Sequence, residues 1–186
     1  MKTKFFLIFE IIILIVVFVF LKDWYQDRNE IYSLEGKLIS YVIDSSSYNN
    51  YTYDELKFVD PEMDAREFLY MDKFYKLCNN EAVDDFIQNR QYLNYMQVIE
   101  GYNIVKTEIE EIKIINDRSG KEINEDVPEN VHIRTYSARY KYIDNNGKEY
   151  ELVDMFLMYA DGNKITYVLN KYTQRGVQKM LIDLIY

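Results

Sequence analysis

The chain has 186 residues, with 22 Lys plus Arg against 31 Asp plus Glu and a formal net charge of −9, which repels phosphate backbones and argues against nucleic acid as a partner. One cysteine, Cys78, leaves no internal disulfide, and one histidine, His132, cannot form a histidine-rich metal site, so neither a metal nor a cofactor is expected. Tyrosine is frequent at 19 copies, beside many Asn, Lys and Ile, a pattern that the codon supply of an AT-rich genome also produces.

Residues 1–21 read as a cytoplasmic tip and a transmembrane anchor. From Phe5 to Leu21 only Glu10 interrupts the apolar run, and such a helix reaches roughly 25 Å of a ~30 Å hydrocarbon core. Lys22-Asp23-Trp24-Tyr25-Gln26 offers no small-residue cleavage site, so the span is expected to be retained. Lys2 and Lys4 precede it, whereas Lys22 and Arg28 are offset by Asp23, Asp27 and Glu30. The positive-inside bias therefore puts the N-terminus in the cytoplasm and the rest of a single-pass protein outside the cell membrane. Trp24 and Tyr25 stand where an interfacial belt would hold the helix. Glu10 is a candidate intramembrane contact, with protonation or snorkelling toward the headgroups as the ordinary alternative.

Residues 22–50 read as a helical stalk and linker. Ile31, Leu34, Leu38, Ile39 and Val42 recur at helical spacing, and the polar run Asp44–Asn50 ends the pattern. Residues 51–186 then form an extracytoplasmic domain. Asp60-Pro61-Glu62 is a helix start, with a cap, a first-turn proline and an acidic residue at the positive end of the helix dipole. Two helices are expected up to about Met96, separated near Asn79-Asn80, with Phe68, Met71, Phe74, Tyr75 and Leu77 on one apolar face and Val83, Phe86, Ile87, Tyr92, Leu93 and Met96 on the other. Cys78 on such a face reads as a small core residue.

After Gly101 the period changes to two. Val105, Thr107 and Ile109 alternate with charged residues, and Ile112 and Ile114 then take the opposite parity, the mark of a strand bent by a bulge. Asp117–Asn130 is a polar loop. Val131–Ile143 and Lys148–Ala160 flank Asp144-Asn145-Asn146-Gly147, a hairpin turn; Lys164–Asn170 is the last strand. Val177, Met180, Leu181, Leu184 and Ile185 make a short amphipathic C-terminal helix. The expected fold class is α+β: an N-terminal transmembrane helix, then helices packed on a curved antiparallel sheet of about four strands, then that short helix.

This element order, over about Asp60–Asn170, resembles the cone-shaped nuclear transport factor 2-like superfamily. The resemblance implies a concave sheet face, and the superfamily's isomerases and dehydratases use carboxylates, tyrosines or a histidine inside the cone. On the first hairpin strand His132, Arg134, Tyr136, Tyr140 and Tyr142 share one face, and the first four form the candidate binding face together with Asp154, which lies among Leu152, Phe156 and Met158 on the next strand. A buried acid there would have a raised pKa and could serve as a base; alternatively it pairs with Arg134 or Arg139, or accepts a tyrosine hydroxyl, as structure alone. No glycine-rich phosphate loop, nucleophile elbow or paired cysteines occur, and Asp84-Asp85 and Glu110-Glu111 read as solvated faces. No catalytic, cofactor-binding or metal residue is assigned.

The functional expectation is a non-catalytic, membrane-anchored protein-binding or assembly module. In architecture it is similar to the membrane-anchored scaffold subunits of type IV secretion and conjugation machines, which implies envelope partners and self-association. An immunity protein that covers the basic site of an exported toxin is the alternative within the binding class, and an isomerase-type or small-molecule site in the concave pocket is the alternative outside it.

Overall fold

The computed structural model describes residues 29–48, 52–57, 78, 90–123, 131–161, 164–171, 173 and 175–185, together with Ile13, Ile15 and Val17. Ser33 starts the first of the longer helices. Its side chain accepts the Gly36 N–H at 2.9 Å and donates to the Glu30 carbonyl at 2.7 Å, which caps α1 (Leu34–Ile43) and closes the 3-10 turn Glu30–Tyr32 against it. Leu38, Ile39, Val42 and Ile43 are all fully buried, so the helix expected as a stalk supplies one wall of the core. A second 3-10 turn, Ser45–Tyr48, follows, and its Ser45 N–H bonds Thr107 Oγ1 at 2.8 Å.

Among the described residues no helix is long and apolar enough to cross a membrane. This corrects the expectation of a transmembrane helix. The apolar run Phe5–Leu21 lies outside the described residues apart from Ile13, Ile15 and Val17, which are helical and exposed, and Glu10 lies outside them as well. The nearest described helix, α1, has 10 residues and reaches ~15 Å, half the hydrocarbon thickness, with its apolar stripe turned to the core. The single-pass topology built on that span is withdrawn.

Helix α2 (Gln91–Gly101) buries Tyr92, Leu93, Tyr95, Met96 and Val98. The two helices expected from Asp60 onward otherwise lie outside the described residues, except for Cys78, which is buried and forms an isolated parallel bridge to Ile165. After α2, Asn103 at φ 52° turns the chain into β1 (Ile104–Ser119). β2 (Val131–Asp144), β3 (Glu149–Asp161) and β4 (Lys164–Lys171) follow, and the sheet is antiparallel throughout in the order β1-β2-β3-β4.

The protein is thus α+β with a curled antiparallel sheet. Its curl has a cause in β1, whose register against β2 shifts between Ile104 and Lys106, between Ile109 and Glu111, and between Ile114 and Asn116. Each shift inserts a residue, bends the strand and adds twist. The middle one falls where the apolar parity changes. β1 also runs on through Asp117, which was expected in a loop, because Asp117 and Ser119 pair with Arg134 and His132 of β2.

At the β2–β3 turn, Asp144 Oδ1 accepts the N–H groups of Asn146 at 2.8 Å and Lys148 at 2.9 Å, and Gly147 takes φ 80°. With the hairpin register so fixed, Tyr136, Ala138, Tyr140 and Tyr142 of β2 and Leu152, Asp154, Phe156 and Met158 of β3 point to one buried face. Helices α1 and α2 and the start of α3 (Val177–Ile185) cover that face; Val177 and Met180 are the buried residues of α3.

Candidate functional site

Asp154 lies opposite Ala138 in the β2–β3 ladder and has no exposed surface. Three donors converge on it. Tyr140 of β2 donates to Oδ2 at 2.6 Å, Tyr95 of α2 donates to the same oxygen at 3.1 Å, and the backbone N–H of Val177 donates to Oδ1 at 3.2 Å. The last bond makes Asp154 the cap of α3 from a position 23 residues upstream, a use of the orphan N–H groups at a helix start that no local pattern announces.

The chain before α3 is seated beside the same acid. The Val153 N–H donates to the Arg175 carbonyl at 3.0 Å, and Thr173 Oγ1 donates to the Val153 carbonyl. These two bonds bring Gly176 so close that a Cβ built on it would fall inside contact distance of Asp154 Oδ1 and of Thr173 Oγ1. Burial pushes the Asp154 carboxyl up to about 6, while the bonds from Tyr140, Tyr95 and Val177 pull the other way.

Four buried tyrosines, Tyr48, Tyr95, Tyr140 and Tyr142, cluster at this end of the core. Tyr142 donates to the Ile43 carbonyl at 2.8 Å and Tyr48 to the Val42 carbonyl at 2.5 Å, so the end of α1 is tied into the same cluster. The Tyr140 and Tyr142 rings meet edge to face at 5.1 Å, and the Tyr48 and Tyr95 rings lie parallel at 6.4 Å. Burial raises the hydroxyls of Tyr48, Tyr95, Tyr140 and Tyr142 well above their ordinary value, so each stays protonated and able to donate.

A general base needs an oxygen within reach of a substrate proton. Asp154 has no exposed surface, and both of its oxygens already accept internal donors. Of the alternatives read from the sequence, acceptance of tyrosine hydroxyls describes the geometry. Arg139 is exposed, and Arg134 makes its ion pairs with other residues.

Arg134 and His132 stand at the other end of β2. Arg134 Nη1 donates to Glu35 Oε1 of α1 at 3.0 Å, its Nε donates to Asp117 Oδ2 of β1 at 3.0 Å, and His132 Nδ1 lies 3.0 Å from Asp117 Oδ1. The Glu35 side chain is only 9 % exposed, and that guanidinium is the cation paired with it. For Asp117, burial acts upward, but the bonds from His132 and Arg134 outweigh it and hold the carboxyl below its ordinary value. Tyr136, buried between the two groups, is raised by burial first and by the Glu35 charge second.

The face read from the sequence therefore divides into a partly exposed ionic cluster holding His132 and Arg134 and an interior holding Tyr140, Tyr142 and Asp154. Tyr95, Glu35, Asp117 and the Val177 N–H complete these two groups and were missed. Glu35 did carry a signal: an acid three and four residues before Leu38 and Ile39, on their apolar stripe. Tyr95, flanked by Tyr92, Leu93 and Met96, was indistinguishable from an ordinary core aromatic. Cys78 is buried, and burial lifts its thiol to about 12, which leaves it unreactive. Among the described residues no group of three His, Cys, Asp or Glu is placed to hold a metal ion. No family model matches this chain, and neither a curated protein nor a solved structure matches it.

Proposed function

We propose that this protein is a non-catalytic binding module whose partner is a protein with a basic surface. The observation that carries the reading is the state of Asp154. The acid best suited by its surroundings to be a base is closed off from solvent and held by Tyr140, Tyr95 and Val177, which is the arrangement of a structural strut. The net charge of −9 supports the choice of partner, because an acidic surface steers basic proteins into encounter and repels acidic ones. Helices that precede a bent antiparallel sheet also support a likeness to the cone-shaped nuclear transport factor 2-like architecture as part of this proposal.

The test is capture of partners by the tagged full chain from lysate and culture supernatant of its own cells, followed by association kinetics of the purified pair at low and high salt. A basic protein whose on-rate falls steeply with salt is the expected result. One exported toxin would assign the module to toxin neutralisation, and several subunits of one machine would assign it to assembly. Salt-independent association, or a bound small molecule with no protein partner, would overturn the proposal.

A further inference from the structure

Helix α3 has nine residues, too few to be stable alone in water, so it exists because it is docked. Its holds are few. Val177 and Met180 are buried, the Tyr102 hydroxyl donates to the Met180 carbonyl at 3.2 Å, and Leu184 rests over Gly101 of α2. Ile182, Leu184 and Ile185 remain 39 %, 37 % and 61 % exposed. The one polar anchor at its first residue is the bond from the Val177 N–H to Asp154 Oδ1, and Asp154 is also gripped from β2 by Tyr140 and from α2 by Tyr95. A single carboxyl therefore joins α3 to the sheet and to the helix beneath it.

Two effects compete at that carboxyl. A helix N-terminus favours an anion, whereas removal of the carboxylate from water disfavours it. Burial is the larger effect here, and the carboxyl of the docked state holds its proton to about 6, against 3.8 for an ordinary aspartate. Neutral Asp154 keeps the cap, since a proton on Oδ2 can be donated to a tyrosine oxygen while Oδ1 still accepts the Val177 N–H. Ionised Asp154 gains by reaching water, and α3 is docked directly on it through the Val177 N–H and Gly176.

We propose that Asp154 is a pH-responsive latch on helix α3: as a neutral acid it seals the helix on the sheet, and on ionisation it lets the helix lift. Among the described residues, the titratable groups beside it are Tyr140 and Tyr142 from β2 and Tyr95 from α2, all kept neutral by burial. From α3 the observed contact is the Val177 backbone N–H; Lys179 and Asp183 of that helix pair with each other, and the preceding Arg175 is exposed. Within the cluster, Asp154 is thus the group that changes charge between pH 4 and pH 8.

The experiment is amide hydrogen exchange of the full chain between pH 4 and pH 8, corrected for intrinsic rates, with peptides from α3 and from β2 followed separately. In the wild type the opening equilibrium of α3 should rise by about 100-fold across the window, and in Asp154→Asn it should be flat. Equal profiles in the two proteins, α3 opening that falls with pH, or α3 protection no weaker than that of β2 at any pH would each overturn the latch. Should Asp154→Asn fail to fold, Tyr140→Phe provides the same test. It deletes a donor that favours the anion, so the midpoint of α3 opening should move to higher pH, and an unmoved midpoint would overturn the proposal.

Discussion

Tyr140 and Asp154 are diagonal neighbours across the β2–β3 ladder, and the tyrosine hydroxyl reaches the carboxyl Oδ2 at 2.6 Å, the shortest of the three bonds that Asp154 accepts. Their placement follows from a hairpin that puts Ala138 opposite Asp154 and Leu152 opposite Tyr140. A bond of that length to an acid in a dry interior is among the stronger kinds of hydrogen bond.

Tyr140→Phe should therefore destabilise the protein by ~2 kcal/mol, and Tyr95→Phe, which deletes the 3.1 Å bond, by about 1 kcal/mol. Urea denaturation of the two variants would check this. Wild-type stability in both would show that the tyrosine hydroxyls do not support the fold.

The pH dependence of global stability has two opposing contributions. For Asp154 the folded value of about 6 exceeds the ordinary 3.8, so its favourable contribution is complete below pH 4 and is lost as pH rises through 6, a total of ~3 kcal/mol. Asp117 is held below its ordinary value, so its contribution is present at neutral pH and is lost on acidification; it is 37 % exposed, and screening by solvent makes it the smaller of the two. At matched pH, Asp154→Asn should gain stability over the wild type from pH 4 to pH 7. A difference that stays constant with pH would contradict the assignment.

Two glycines should respond differently to the same substitution. Gly176→Ala drives a methyl group into Asp154, which is fully enclosed and cannot retreat, and a loss of ~3 kcal/mol with partial release of α3 is expected. Gly147 faces open space at φ 80°, so Gly147→Ala carries only the penalty of a left-handed backbone, about 1 kcal/mol. Thermal unfolding followed by circular dichroism would separate them. If G176A proved as mild as G147A, the start of α3 would not be packed on Asp154.

Arg134 neutralises an acid that the helix α1 buries. Arg134→Met should leave Glu35 without its cation and destabilise by ~2–3 kcal/mol, discounted from the cost for a fully buried pair because the Arg134 side chain is 28 % exposed. Adding Glu35→Gln to Arg134→Met should recover part of that loss. A double-mutant cycle measures the coupling, and additive effects would mean that the 3.0 Å contact carries no net energy.

The strands were legible because a half-buried sheet writes its period of two into the chain. The parity change between Ile109 and Ile112 located one register shift, Asp144–Gly147 located the hairpin, and the even-numbered face of β2 is the buried one. The fate of 34–43 was not legible. Leu38, Ile39 and Val42 show the same spacing whether a helix stands as a stalk or packs on a sheet, since periodicity reports which face is apolar and not what covers it. The apolar content of Phe5–Leu21 likewise suggested a span, while the described residues contain no helix fit to cross a membrane.

By itself the sequence determined the local terms of this protein: strand parity, the tight turn, the acidic balance and the presence of one acid on an apolar strand face. The tertiary structure alone decided what that acid does. Asp154 meets Tyr95 from 59 residues upstream and Val177 from 23 residues downstream, and Arg134 meets Glu35 across 99 residues. Contacts at such separations leave no periodic trace, because they are selected by how helices and sheet close over one another, and only that closure turns a carboxyl suited to catalysis into the anchor of a helix.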